Sequence, residues 1–220
     1  MKADSSTEPV VLVLEDDPDM RAGIESLLET VHLKPRPFAS VRDFWRSKLP
    51  DVPSCLVCDL HMPDGNGLDL QDKLRQRGSE LPIIFITAYG DIPSAVRAMK
   101  AGATWFLSKP FREQVLLDAI NGALEHDRRR REEDTRLCAL KVSVEALSPR
   151  QLSAFLLLAE GLSTDEICDR LELQASTVRQ LRHEVKKKLG AKTTRDLVRM
   201  GNAFGRLIEG GGVPDDAGPK

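Results

Sequence analysis

Apolar residues follow two alternating rhythms up to about residue 127 and a single rhythm after it. Short apolar runs read as strands: Val10 to Leu14, Leu56-Val57-Cys58, Pro82 to Ile86 and Trp105 to Leu107. Helical spacing separates them. Met20, Ile24, Leu27 and Leu28 share one face, and Leu68, Leu70 and Leu74 share another. A helix starting near Arg112 carries Val115, Leu116, Ala119, Ile120, Ala123 and Leu124 on one stripe. Strand alternating with helix implies βαβ units, right-handed crossovers and a parallel sheet. In such sheets ligands bind outside the carboxyl ends of the strands.

A further strand is expected near Lys34 to Phe38. Its Pro35 and Pro37 cannot donate to a ladder, so it belongs at a sheet edge. An edge second strand fits the flavodoxin-like order 2-1-3-4-5. From Leu147 onward only helical signals remain. Ser148 caps a helix with Pro149 in its first turn, and Gly161 ends it. Ser163 and Glu166 form a capping box before Ile167 and Leu171. Ser176-Thr177 opens a longer helix carrying Val178, Leu181, Val185 and Leu189, stopped by Gly190. Thr193 or Thr194 caps a last helix with Leu197, Val198 and Met200. The expected architecture is a flavodoxin-like (βα)5 domain of the α/β class over 8–127, a helical linker over 128–145 and an all-α helix-turn-helix domain over 146–206. The tails, Met1 to Thr7 and Glu209 to Lys220, are expected to be disordered.

Charge sharpens this division. The whole chain carries a formal net charge of -2. Residues 8–127 hold 19 acidic and 13 basic side chains, and residues 146–206 hold 7 acidic and 11 basic. An acidic front half and a basic back half point to a phosphate-bearing partner for the second. The run His126 to Asp134 reads as a solvated helical extension or as a source of phosphate contacts; its mixed sign argues against a dedicated nucleic-acid arm. The 4 cysteines lack regular spacing, as expected in a reducing compartment. Cys55 and Cys58 fall three apart in a strand, so they point to opposite faces and do not share a metal. No apolar run is long enough to cross a bilayer, and the polar start lacks a secretory signal. A cytoplasmic protein without a membrane partner is the expectation.

The candidate chemistry lies where the strand-like runs end. Asp59 follows Leu56 to Cys58, Glu15-Asp16-Asp17 follow Leu14, Thr87 follows Ile86 and Lys109 follows Leu107 by two positions. Parallel strands bring all of them to one sheet edge. An aspartate there can attack phosphorus and form an acyl phosphate. Carboxylate and phosphoryl group repel, and a divalent cation between them relieves this. Magnesium suits a few carboxylates plus water and phosphate oxygens. Glu15 and Asp16 are its candidate ligands beside Asp59, with Asp17 one position beyond the pair. Lys109 can neutralise another phosphate oxygen, and the Thr87 hydroxyl can donate to the product.

The stretches Val11 to Asp17, Cys58-Asp59-Leu60-His61-Met62-Pro63-Asp64-Gly65-Asn66-Gly67, Ile86-Thr87-Ala88 and Phe106-Leu107-Ser108-Lys109-Pro110-Phe111 resemble the receiver domain of two-component response regulators. The resemblance implies that Asp59 takes phosphate from a sensor histidine kinase. It implies a magnesium contact from the His61 backbone carbonyl, the His61 side chain being simply exposed, and a cis Lys109–Pro110 bond. It also implies a switch in which phosphate draws the Thr87 hydroxyl inward and Phe106 fills the vacated space. The face around the helix Asp91 to Ala101 commonly dimerises in this family. Trp105 departs from the usual acidic residue; interface anchor and core packing are both open. Aspartyl hydrolases usually carry a second acid two positions after the nucleophile; here that position is His61. Turnover of an external substrate is not expected.

Residues 147 to 200 resemble the LuxR-type helix-turn-helix, through Leu147-Ser148-Pro149-Arg150, Ala159-Glu160-Gly161-Leu162-Ser163, Glu166-Ile167-Cys168 and Thr177-Val178-Arg179 to Lys188-Leu189-Gly190-Ala191. The chain as a whole is similar to the FixJ branch of response regulators. That implies binding to double-stranded DNA as a phosphorylation-induced homodimer, contact with RNA polymerase, and activation of transcription. Thr177, Arg179, Gln180, Arg182, His183, Lys186 and Lys187 are the candidate DNA-binding residues. Arginine can read guanine and glutamine adenine, while lysines suit phosphates. Gln151, Ser153 and Leu181 depart from the residues usual at their positions. A degenerate receiver on a phosphorylation-independent DNA binder, or a protein-interaction module, are the alternatives.

Overall fold

The computed structural model describes residues 8–88 and 92–210, with side chains to Ile208. The tail expected over 1–7 and most of that expected over 209–220 lie outside the described residues, as does Asp91, the expected start of the fourth helix. The chain divides into two compact units, Met1–Arg131 and Glu132–Lys220.

The first unit opens with β1 (Val10–Leu14), whose five residues are all buried, as in a central parallel strand. Pro18 begins α1 (Pro18–Thr30), which buries Ile24 and Leu28. Then come β2 (Lys34–Phe38), α2 (Val41–Arg46), β3 (Ser54–Asp59), the short β4 (His61–Met62) and β5 (Gly65–Asn66), α3 (Gly67–Gln76), β6 (Ile83–Thr87), α4 (Ile92–Lys100), β7 (Trp105–Ser108) and α5 (Glu113–Glu145). The sheet order is β2-β1-β3-β6-β7, and all four pairings are parallel. This is the doubly wound order expected, with the proline-bearing strand at an edge. The period of two along each strand divides the core. Leu12, Leu14, Leu56, Cys58 and Phe85 pack on one face, and Val11, Val13, Cys55, Val57, Ile84 and Ile86 on the other. Cys55 and Cys58 do fall on opposite faces, both as buried free thiols.

Two features of this unit were not expected. β4 and β5 form a two-residue antiparallel pair directly after Asp59. Here Gly67 is required by close approach: a Cβ would stand 2.8 Å from Phe85 Cε1 and 3.0 Å from the Asp59 carbonyl oxygen. The other is a buried carboxylate, Asp127, in α5. It accepts from the Ser54 backbone N–H at 2.9 Å, from Arg130 at 2.6 Å and from Arg131 at 2.7 Å. Arg131 also reaches the Pro50 carbonyl at 3.2 Å and Asp51 at 3.2 Å. Burial opposes the Asp127 charge, but the two guanidinium groups and the Ser54 N–H outweigh it and hold its carboxyl below the ordinary 3.8.

The second unit takes Val144 and Leu147 into a core with Phe155, Leu158, Ile167, Val178, Val185, Leu189 and Leu197. Its helices after α5 are α6 (Pro149–Ala159), α7 (Thr164–Leu171), α8 (Ala175–Leu189) and α9 (Thr194–Gly210). The Ser163–Glu166 capping box is present, and Gly190 ends α8 in the left-handed region at φ 67°. Ser148 also caps α6 as half of a box, with Gln151 as the partner. Thr193, rather than Thr194, caps α9, accepting from the Asp196 N–H. Ser176-Thr177 does not open α8. The helix starts one residue earlier, behind Gln174, which makes no side-chain cap. The turn between α7 and α8 rests on Glu172 at φ 53°, a left-handed position without glycine.

Candidate functional site

The carboxyl ends of β1, β3, β6 and β7 converge on one acidic pocket. Asp59 is the last residue of β3 and is 8% exposed. Glu15 follows β1 and is buried, and Thr87 ends β6 fully buried. Lys109 follows β7, next to a cis Lys109–Pro110 bond. Its ammonium lies 2.6 Å from Asp59 Oδ2 and 2.8 Å from Glu15 Oε2. Asp59 Oδ1 accepts from the His61 backbone N–H at 2.9 Å. Both oxygens of the proposed nucleophile are therefore oriented by donors.

Electrostatics follow from how dry the pocket is. Burial raises the Glu15 carboxyl above its usual 4.5, against the pull of Lys109. Burial also works against the Lys109 charge, but hydrogen bonds to Asp59 and Glu15 and their charges outweigh it and raise the ammonium above 10.5. The two shifts pull opposite ways on one ion pair. At Glu15 burial outweighs the ion pair, and at Lys109 the two carboxylates together outweigh burial. Glu15, Asp16 and Asp59 each offer an oxygen, and the three atoms lie within 4.8 Å of one another. Three hard oxygen donors at this spacing fit a hard divalent cation better than a soft one. Asp17 is occupied elsewhere: its Oδ1 caps α1, accepting from Asp19 N at 2.9 Å and Met20 N at 3.2 Å.

One side chain stands differently from expectation, and one open reading is narrowed. The His61 ring is exposed but not idle, with Nδ1 3.3 Å from the Thr87 hydroxyl oxygen. Trp105 is 49% exposed rather than in the core. It shares its exposed apolar character with Ile92, Val96 and Met99 of α4 and Val115 of α5. Phe106 is partly buried against the first core cluster.

In the second unit α8 buries Val178, Leu181, Val185 and Leu189, the expected stripe. Ser176, Arg179, Gln180, His183 and Lys187 are exposed at spacings of one helical face. Thr177, Arg182 and Lys186 lie at its flanks, half-buried. The Arg179 Nε donates to the Ala175 carbonyl at 3.2 Å. Lys188 is exposed and donates to Gln151 Oε1 at 2.8 Å and to the Ala146 carbonyl at 3.2 Å. Sequence reasoning missed Glu184. Its carboxylate accepts from Gln151 and from Gln180, and these bonds hold it below the usual 4.5. The signal available was Gln151 three residues after Ser148, the spacing of a capping box.

The response regulator receiver domain model matches residues 11–121, and the model of bacterial regulatory proteins of the luxR family matches residues 145–201. Nodulation protein W of Bradyrhizobium diazoefficiens is 45% identical over 202 residues, 92% of this chain and 89% of that protein. The transcriptional regulatory protein FixJ of Azorhizobium caulinodans is 34% identical over 210 residues, 95% of this chain and 97% of that one. Among solved structures, the response regulator StyR is similar at 36% identity and a TM-score of 0.77, covering 89% of this chain and 99% of its own. Full-length FixJ from B. japonicum is similar at 29% identity and a TM-score of 0.55, over 91% of this chain and 99% of that one.

Proposed function

The chain belongs to the response regulators that join a receiver domain to a LuxR-type DNA-binding domain, and from that premise we propose that it is a transcription factor switched by phosphorylation of Asp59. The observation that carries the reading is Lys109, held between Asp59 and Glu15 at 2.6 and 2.8 Å at the carboxyl edge of the sheet. A phosphorylated histidine of a sensor kinase is the donor. An Asp59 oxygen forms a bond to phosphorus, the phosphorus–nitrogen bond breaks, and an acyl phosphate results. Lys109 is within reach of the new negative charge, and the His61 backbone N–H orients the carboxylate. Glu15, Asp16, Asp59 and the His61 carbonyl oxygen would hold a magnesium ion, which when bound would neutralise charge on the phosphoryl oxygens. The Thr87 hydroxyl then exchanges the His61 ring for a phosphoryl oxygen, and Phe106 moves into the space it leaves.

The product is a homodimer. Ile92, Val96, Met99, Trp105 and Val115 supply exposed apolar surface suited to that contact. Two copies of α8 then meet two half-sites of symmetric double-stranded DNA. Arg179, Gln180, His183 and Lys187 face the groove, with Thr177, Arg182 and Lys186 flanking them. RNA polymerase is the downstream partner by family analogy, and the cytoplasm is where kinase, DNA and polymerase meet. Among the described residues no helix is long and apolar enough to cross a membrane.

Acetyl phosphate with magnesium, read by intact mass, tests the first step. One phosphoryl adduct is expected on the wild type and none on Asp59→Asn; an equal adduct on both sinks the assignment. Binding to mixed-sequence duplex should weaken steeply as salt rises, since phosphate contacts release counterions. Binding that ignores salt excludes the DNA reading.

A further inference from the structure

One chain of hydrogen bonds runs from the start of α6 to the exposed face of α8. The Ser148 N–H and the Lys188 ammonium donate to Gln151 Oε1 at 3.1 and 2.8 Å. Gln151 Nε2 donates to Glu184 Oε2 at 2.9 Å. Gln180 Nε2 donates to Glu184 Oε1 at 3.0 Å. Partner chemistry fixes the direction of both amides. A carboxylate only accepts, so each amide must turn its nitrogen toward Glu184. An N–H and an ammonium only donate, so Gln151 must turn its oxygen toward them. Flipping either amide would pair oxygen with oxygen.

The consequence falls on Gln180, which is exposed on the face of α8 that carries Arg179 and His183. One of its two amide hydrogens is committed to Glu184. Its carbonyl oxygen and its second N–H are left, and among the described residues neither is engaged. An acceptor and a donor are thus presented side by side in a fixed order. In the major groove adenine offers a donor at N6 beside an acceptor at N7. Guanine offers two acceptors, thymine one acceptor, and cytosine one donor. A glutamine free to rotate could give both N–H groups to the two acceptors of guanine; one held by Glu184 has a single N–H left beside its oxygen, and only adenine pairs with both.

We propose that Glu184 is a positioning residue that locks the Gln180 amide in the orientation that reads adenine at one base pair of each half-site. The proposal rests on the DNA-binding reading and deepens it. Gln180 makes the base contact, Glu184 sets its orientation, and Gln151 with Lys188 sets the orientation of Glu184.

The test is selection of bound sequences from a randomised duplex library by the full chain treated with acetyl phosphate and magnesium. Wild type, Gln180→Ala, Glu184→Ala and Gln151→Ala are compared, with thermal melting as a check on folding and a fixed unrelated duplex as a measure of non-specific affinity. The wild type should prefer adenine at one position per half-site by roughly 10- to 100-fold over the worst base. Gln180→Ala should erase the preference at that position alone. Glu184→Ala should keep Gln180 but broaden the preference to guanine, while non-specific affinity rises because a carboxylate has left the DNA-facing helix. Gln151→Ala should broaden it less. A variant merely loosened in structure would lose affinity at every position, the opposite pattern. An unchanged adenine preference in Glu184→Ala, or a Gln180-dependent position that prefers guanine or thymine in the wild type, overturns the inference while leaving DNA binding intact. A wild type that binds no duplex in a salt-dependent way removes the DNA reading itself, and this inference with it.

Discussion

At the scale of single residues, placement decides more than identity. Gly67 makes the point, because its conformation is ordinary but its surroundings are not. A Cβ would stand 2.8 Å from a ring carbon of Phe85 and 3.0 Å from the Asp59 carbonyl. Gly67→Ala should cost about 1–3 kcal/mol through overpacking. It should also slow acetyl phosphate labelling, since the strain falls on the backbone of Asp59, the proposed nucleophile. A denaturant midpoint and a labelling time course check both; an unchanged midpoint contradicts the contact. The acidic pocket was legible in the sequence because strand ends in a parallel sheet must share an edge. What was not legible was occupancy. Asp17 carries the same chemistry as its neighbours but spends its oxygen on the α1 N-terminus. His61 looked like surface yet reaches the Thr87 hydroxyl. Linear spacing states which groups are near, not which partner each takes.

At the scale of elements, hydrophobic period placed the main strands and helices, and two proline residues placed the edge strand. The misses share a physical origin. β4 and β5 have two residues each, too few for a period to show. The α7–α8 turn uses Glu172 in the left-handed region, so no glycine marks it. Asp127 lies in a run of charges that reads as solvated, although it is fully buried. Its hydrogen bond to Ser54 ties α5 to the start of β3, a contact 73 residues apart in sequence that no local pattern discloses. Asp127→Asn should destabilise the protein by about 2–3 kcal/mol at neutral pH, because charge-assisted bonds to two arginines are lost. The sign of its pH dependence follows from the depressed carboxyl. The stabilisation is complete above 3.8, its unfolded value, and fades as pH falls through the lower folded one. Melts of wild type and variant should therefore converge in acid, and a gap that stays constant to the lowest pH contradicts the ion-pair account.

At the scale of the whole molecule, association is the quantity to measure. Trp105 is half-exposed, and α4 and α5 also expose large apolar side chains. Trp105→Ala should weaken the phosphodonor-induced dimer by about 2 kcal/mol, roughly 30-fold, in sedimentation equilibrium, leaving acyl phosphate formation intact. Equal dimerisation by variant and wild type would mean the contact lies elsewhere. The paired Lys109 has a different kind of outcome. Its ammonium already bridges two of the three carboxylates at the pocket, so the folded chain brings its own counter-ion to the site proposed for a divalent one. Stripping divalent ions with a chelator should shift the melting temperature by no more than a degree or two while abolishing the phosphoryl adduct. A large drop in melting temperature would show that the lysine does not suffice. A cell starved of magnesium would then hold this regulator whole, stockpiled and deaf, ready to hear again as soon as the ion returned.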